Sequence, residues 1–210
     1  MTTRPPCWLE SFPWRLRGRD LVTPTGIRIT PERLLGRLAY HIAMDLDADI
    51  LPGRSIAGLT LGEDALELIV GLQQQCSVKE RRTNYPSSTC YEVDEAVIVI
   101  VNNVDFKIID LAAMPGYRGR LYGYIRAGMS VRELIAGASS ALLKHIHLYN
   151  EILYLDRAES VGFLLPPEYD DIGGVDCLPD DLALNALYVW APAREQVRGR
   201  DGKLIWQAVG

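Results

Sequence analysis

The 210 residues are 48% hydrophobic, 23% charged and 8% aromatic, with 22 basic and 27 acidic side chains and a formal net charge of −5. That balance belongs to a folded globular unit and excludes disordered, collagen-like and coiled-coil chains. A chain of this size buries about two thirds to three quarters of its unfolded surface, so Cys7, Cys76, Cys90 and Cys177 are not needed as a disulfide framework, and their scatter has no zinc-ligand spacing.

The first residues, Met1 to Arg19, hold four arginines and lack an apolar signal core, and no stretch approaches the roughly 18 apolar residues of a membrane span. Cys7 is not preceded by the small apolar residues of a lipidated cysteine. The expectation is a cytoplasmic protein with no membrane partner. Arg15, Arg17 and Arg19 alternate around Leu16 and Gly18, as on the solvent side of a short extended segment. Thr30-Pro31-Glu32 then reads as the cap of a helix with Leu34, Leu35, Leu38, Ile42 and Leu46 on one face, ending before Pro52-Gly53. Residues 1–50 are expected to form a helical extension. Asp45, Asp47 and Asp49 follow His41 like the start of a calcium loop, but the required Gly and the closing Glu are missing.

Arg54 to Ile69 aligns without gaps on Arg120 to Ile135, an offset of 66 that superposes Gly62 on Gly128, Glu67 on Glu133, Leu68 on Leu134 and Ile69 on Ile135. Each copy reads as a strand, a Gly turn and a helix capped by Asp64 or Ser130 with Glu three residues on. Residues 73–89 are polar and read as a loop. Two β-rich runs, Ala96 to Val101 and Val104 to Asp110, joined by Asn102-Asn103, predict a hairpin with a type I′ turn. In the second copy, Glu151 to Leu155 and Ser160 to Leu165 predict a hairpin interrupted by Asp156-Arg157. Ala183 to Trp190 and Lys203 to Val209 predict two more strands. The expected fold is α+β in one compact unit, 1–210. Helices pack on a mainly antiparallel sheet built from two related helix-plus-hairpin units, 54–119 and 120–190.

Charge is unevenly spread: residues 1–40 carry net +4, residues 41–80 net −5, and residues 161–193 hold six acids and no base. An overall pI near 5.3 argues against a direct nucleic-acid binder. No G-x-S-x-G, P-loop, G-x-G-x-x-G or H-E-x-x-H motif occurs. His145 and His147 flank Ile146 and by themselves make at most half a metal site, so neither a resident metal nor a cofactor is expected. The acids around Gly173-Gly174 could serve a hydrolase as an acid and base pair, yet no neighbouring group that would split their pKa values is evident. They fit better a patch that meets an Arg/Lys-rich surface, with Asp170, Asp171, Asp176, Asp180 and Asp181 supplying charge and Tyr169 and Trp190 supplying apolar anchors.

Pro52-Gly-Arg-Ser-Ile-Ala-Gly-Leu-Thr-Leu-Gly62, Tyr117-Arg-Gly-Arg120 and Ile125-Arg-Ala-Gly-Met-Ser130 resemble the helix units of immunity proteins encoded beside bacterial polymorphic toxins, over roughly residues 50–165. The Gly-Met-Ser helix start is also similar to the tandem repeat of β-lactamase inhibitory protein and of small outer-membrane assembly lipoproteins. The resemblance implies a cytoplasmic inhibitor without chemistry of its own, which binds a cognate toxin domain and covers its active site. For a toxin that attacks nucleic acid, an acidic face would stand in for the phosphate backbone. The alternatives are a small hydrolase using His145, His147 and clustered carboxylates, or a regulatory homodimer joined by strand edges between 183 and 209.

Overall fold

A computed structural model describes residues 44–81, 87–169 and 174–192, with the backbone of strand segments at 15–17, 20–22, 28–29, 194–198 and 204–208. Near the N-terminus, β1 (Arg15–Arg17), β2 (Asp20–Val22) and β3 (Arg28–Ile29) form a small antiparallel sheet. The body of the helix expected from Thr30 lies outside the described residues. Its expected end does not extend to Leu46, because Met44 and Asp45 are irregular and Leu46 begins a turn. There the Asp45 carboxylate accepts from the Asp47 amide at 3.0 Å, the local bond by which Asp favours turns over helix.

The aligned segments are tighter than single strands. In the first, β4 (Ser55–Ile56) and β5 (Leu59–Thr60) fold back on each other over Ala57 (φ 58°) and Gly58 (φ 81°). In the second, Leu121 bridges Ile125 across Tyr122 (φ 52°) and Gly123 (φ 78°). The expected strand is therefore a turn in both places, because two consecutive left-handed residues reverse the chain. Gly62 (φ 82°) and Gly128 (φ 81°), the superposed glycines, both lie in the left-handed region just before a helix.

Helix α1 (Ala65–Gln75) starts at Asp64, whose carboxylate accepts from the Leu66 amide at 3.0 Å. The polar stretch after it is not simply a loop. It holds β6 (Val78–Arg81), an edge strand whose Lys79, Glu80 and Arg81 are exposed, as suits an edge that must not attract another chain. Next come β7 (Ser88–Val93), β8 (Val97–Asn102) and β9 (Ile108–Ala113). The β8–β9 hairpin forms, but not through a two-residue turn. Asn102 pairs with Lys107 through its backbone and caps the turn by accepting from the Val104 amide at 2.8 Å, and the left-handed residue is Phe106 (φ 57°).

After β10 (Met129–Ser130) come α2 (Val131–Gly137) and the single turn α3 (Ser140–Leu143), then β11 (His147–Tyr149), β12 (Ile152–Tyr154) and β13 (Val161–Leu164). The predicted β12–β13 hairpin is present, its connection held by Asp156, which accepts from the Ser160 amide at 2.9 Å and from the Ser160 hydroxyl. Two 3₁₀ turns, Pro167–Tyr169 and Val175–Cys177, lead to the stretch read as one strand from Ala183. It splits into β14 (Ala183–Leu184), which pairs with β10, and β15 (Leu187–Trp190), which enters the main sheet. At the C-terminal end, β16 (Arg194–Arg198) and β17 (Leu204–Ala208) pair antiparallel.

The main sheet has eight antiparallel strands in the order β11-β12-β13-β15-β9-β8-β7-β6. Residues 78–113 supply one half and 147–190 the other, joined where β15 pairs with β9. One face is the core. Across it, Leu153, Phe163, Leu187, Ala113, Val97 and Val93 stand in one register row, and Val161, Val189, Leu111 and Val99 in the next. These side chains share one buried cluster with Leu68, Ile69 and Leu72 of α1 and Val131 and Leu134 of α2. Each Val, Leu or Phe so buried is worth roughly 1.5–3 kcal/mol.

Helix α2 has seven residues, too few to be stable in isolation, and is held by its buried Val131 and Leu134 together with its cap. Ser130 Oγ accepts from the Glu133 amide at 3.2 Å and Glu133 Oε2 accepts from the Ser130 amide at 2.7 Å, a complete reciprocal box. Ser130→Ala is expected to cost about 1 kcal/mol, read as a lower urea midpoint at unchanged slope; an unchanged midpoint would mean that the box contributes nothing.

Candidate binding faces of the sheet and the acidic segment

The acids singled out from the sequence are placed unevenly. Asp170 and Asp171 lie outside the described residues. Asp176 is exposed in the second 3₁₀ turn, and Asp180 and Asp181 are exposed in the turn before β14. Asp180 meets Arg132 of α2, which donates from Nε at 3.2 Å and from Nη2 at 3.0 Å, a surface pair of small energetic worth. The Asp180 carbonyl also accepts from the Arg132 amide at 3.0 Å, so this turn is fastened to the start of α2. Tyr169 packs, partly buried, against the main core cluster. Trp190 is elsewhere: with Val189 pointing into the core, strand alternation puts Trp190 on the outer face of the sheet.

That outer face carries a row spanning all eight strands: His147, Tyr154, Gly162, Tyr188, Ala112, Ile98, Glu92 and Lys79. Beside it, Trp190, Asp110, Ile100, Cys90 and Arg81 form a second row. The Tyr188 and Trp190 rings stack at 5.6 Å with 7° between their planes, Tyr154 leans on Trp190 at 5.9 Å, and His147 stacks on Tyr154 at 5.1 Å. Position 162 in this row has room only for glycine, because a Cβ there would come 2.7 Å from the Leu153 carbonyl oxygen. Toward the β6 edge, Glu92 is only 5% exposed and is held by Arg81.

Asp110 reaches this face through a bulge. The β8–β9 ladder steps from Ile100↔Asp110 to Val101↔Ile108 and leaves Ile109 without a partner. Ile108 and Leu111 both stay in the core, while Ile109 and Asp110 sit side by side outside. Half-buried among Trp190, Ile100 and Tyr188, the Asp110 carboxyl is lifted to about 6 by burial alone. Burial also raises the Tyr188 hydroxyl, and the nearby charges of Cys90 and Asp110 add to that rise. The sequence reading did not single out Asp110 or Tyr154. The usable signal was Ile108-Ile109, two apolar residues that break the alternation just before an acid.

The two histidines are engaged locally. His145 Nδ1 accepts from Arg157 Nε at 2.9 Å. His147 Nδ1 lies 3.0 Å from the His145 carbonyl and its Nε2 lies 3.5 Å from Glu159. Among the described residues, no three His, Cys, Asp or Glu side chains converge to hold a metal ion. The acidic stretch at 45–49 is a strap. Arg118 donates a fork of two 2.7 Å bonds to Asp47, holding that carboxyl below its usual range, and Tyr117 Oη donates to the Ala48 carbonyl at 2.6 Å.

No family model matches the chain, and neither a curated protein nor a solved structure matches it. Among the described residues, no helix is long and apolar enough to cross a membrane.

Proposed function

We propose that this chain is a binding protein of the immunity type, which holds a cognate toxin domain in the cytoplasm and occludes its active site. The observation that carries the reading is the segment 161–193, with six acids and no base, in which Asp176, Asp180 and Asp181 are all exposed. Such a one-signed stretch steers a basic partner and speeds encounter. Asp170 and Asp171 belong to the same charge block, and a nuclease toxin with a phosphate-binding cleft is the partner it suits. Tyr169, in the same segment, is the expected apolar anchor of the contact, and Trp190 stands apart from it on the outer face of the sheet.

The two-unit architecture belongs to this reading. Residues 54–119 and 120–190 are two related units, each running turn, left-handed glycine, capped helix and then four sheet strands. The left-handed Gly62 and Gly128, and the meeting of the two halves at β15 and β9, support this relation. The test is binding to the protein encoded beside this one. The double variant Asp176→Lys, Asp181→Lys is expected to slow association by roughly 10-fold or more at low salt and to lose that deficit at high salt. Unchanged association at low salt would sink the acidic-face assignment.

A further inference from the structure

The outer face of the sheet offers a carboxylate with a defined setting, that of Asp110. Among the described residues, no cation and no hydrogen-bond donor is paired with Asp110. Among the described residues, other charges on or beside this face have partners: Lys79 with Glu95, Glu92 with Arg81, and Glu159 with His147. Leaving a half-buried acid uncompensated costs free energy, and the bulge at Ile109 places this one between Trp190 and Ile100 without disturbing the core on either side. The adjoining Tyr188 and Trp190 rings are nearly parallel. Flat aromatic faces beside a carboxylate are the surroundings in which a planar guanidinium both stacks and pairs, which an ammonium does less well.

We propose that Asp110, Trp190 and Tyr188 form a receptor for one arginine side chain of a protein partner, with Asp110 pairing the guanidinium and the rings stacking against it. The proposal rests on the reading that this chain docks a protein, and it assigns a contact apart from the exposed acids Asp176, Asp180 and Asp181. A protein, rather than free arginine, is the source because apolar surface extends beyond the receptor on the same face. Ile109 is 38% exposed beside Asp110, and Leu164 at 47% and Tyr149 at 60% flank Ile152 toward the β11 edge. A lone amino acid would leave that surface uncovered. The lift of the Asp110 carboxyl accords with the assignment, since an arriving cation would restore the ionised form. Tyr188 adjoins Asp110 on the neighbouring β15, and Cys90 on β7 and the Glu92–Arg81 pair on β7 and β6 lie further along the same face. Burial is what lifts the Asp110 carboxyl.

The experiment uses the full chain, labelled with nitrogen-15, and two short blocked peptides that differ only in arginine versus its neutral isostere citrulline. The arginine peptide is expected to shift the amides of 109–112 and 188–190, with apparent affinity at least 5-fold weaker for the citrulline peptide and for Asp110→Asn. Equal shifts from both peptides, no loss in Asp110→Asn, or shifts confined to 176–181 would each overturn the proposal. None of these results depends on the neighbouring toxin. Binding of that toxin without the arginine effect removes this receptor alone, and the arginine effect without toxin binding removes the immunity reading alone.

Discussion

Replacing Gly119 by alanine is expected to destabilise the fold by about 3–7 kcal/mol, the sum of an overpacking strain of about 1–3 kcal/mol and the loss of four hydrogen bonds worth about 0.5–1 kcal/mol each. A Cβ at Gly119 would stand 1.9 Å from the Ala48 carbonyl oxygen and 2.7 Å from the Tyr117 ring. Neither is the free end of a flexible side chain. To make room, the strap at 45–50 must leave the Tyr117–Arg120 segment. Separation breaks the bonds from the Arg118 and Gly119 amides to the Leu46 carbonyl, the Tyr117–Ala48 bond and the bond from the Ile50 amide to the Arg120 carbonyl. The same Tyr117 hydroxyl accepts from the buried Ala57 amide at 3.0 Å, so the damage reaches the first tight turn. Gly123→Ala is the control, because a Cβ there meets nothing within 4 Å and the cost is only that of a positive φ, 78°. Denaturant unfolding of both variants checks the claim; similar losses for the two would contradict it.

Asp110→Asn is expected to stabilise the isolated protein at neutral pH by about 1–2 kcal/mol, after allowance for solvent screening of a half-buried group. Burial lifts this carboxyl from 3.8 to about 6. The folded state therefore holds the proton more tightly than the unfolded chain. Between those two values stability falls as pH rises, and above about 6 the full cost of the buried charge is carried. In the Asn variant that descent disappears. Unfolding free energies measured from pH 4 to 8 should show the two proteins converging at the acid end and the variant ahead at the alkaline end. A variant less stable than the parent at pH 8 would mean that the ionised Asp110 has a stabilising partner and that the receptor assignment is mistaken. Gain in stability with loss of arginine recognition is the pattern of a group kept for binding.

Local chemistry was legible in the sequence and non-local register was not. The Ser130 cap could be read because its partner Glu133 is three residues away, and the β12–β13 hairpin because its two runs are separated only by a short connection, which Asp156 and Ser160 turn out to close. The β8–β9 hairpin was legible as a pair of runs, while its turn was not: Asn102 serves through its side chain, and the positive φ falls on Phe106. The polar residues Lys79 to Arg81 concealed an edge strand, since an edge needs only backbone pairing and tolerates charge on both faces. The join of β15 to β9 brings together residues some 80 positions apart, Trp190 with Asp110, and no local pattern specifies that register. Consequently the acids of 161–193 stood out as composition, whereas Asp110, isolated in an apolar run, gained its character only from the strands that assemble around it.

In the proposed function this chain works by binding and covering a toxin encoded beside it. The most direct test of that function is co-expression of the two proteins followed by size-exclusion chromatography at low and high salt, with the toxin's activity assayed in the purified peak. The expected result is a one-to-one complex that is inactive as isolated, weakens as salt rises and releases active toxin when it dissociates. Separate elution at low salt, or a stable complex in which the toxin remains fully active, would contradict it.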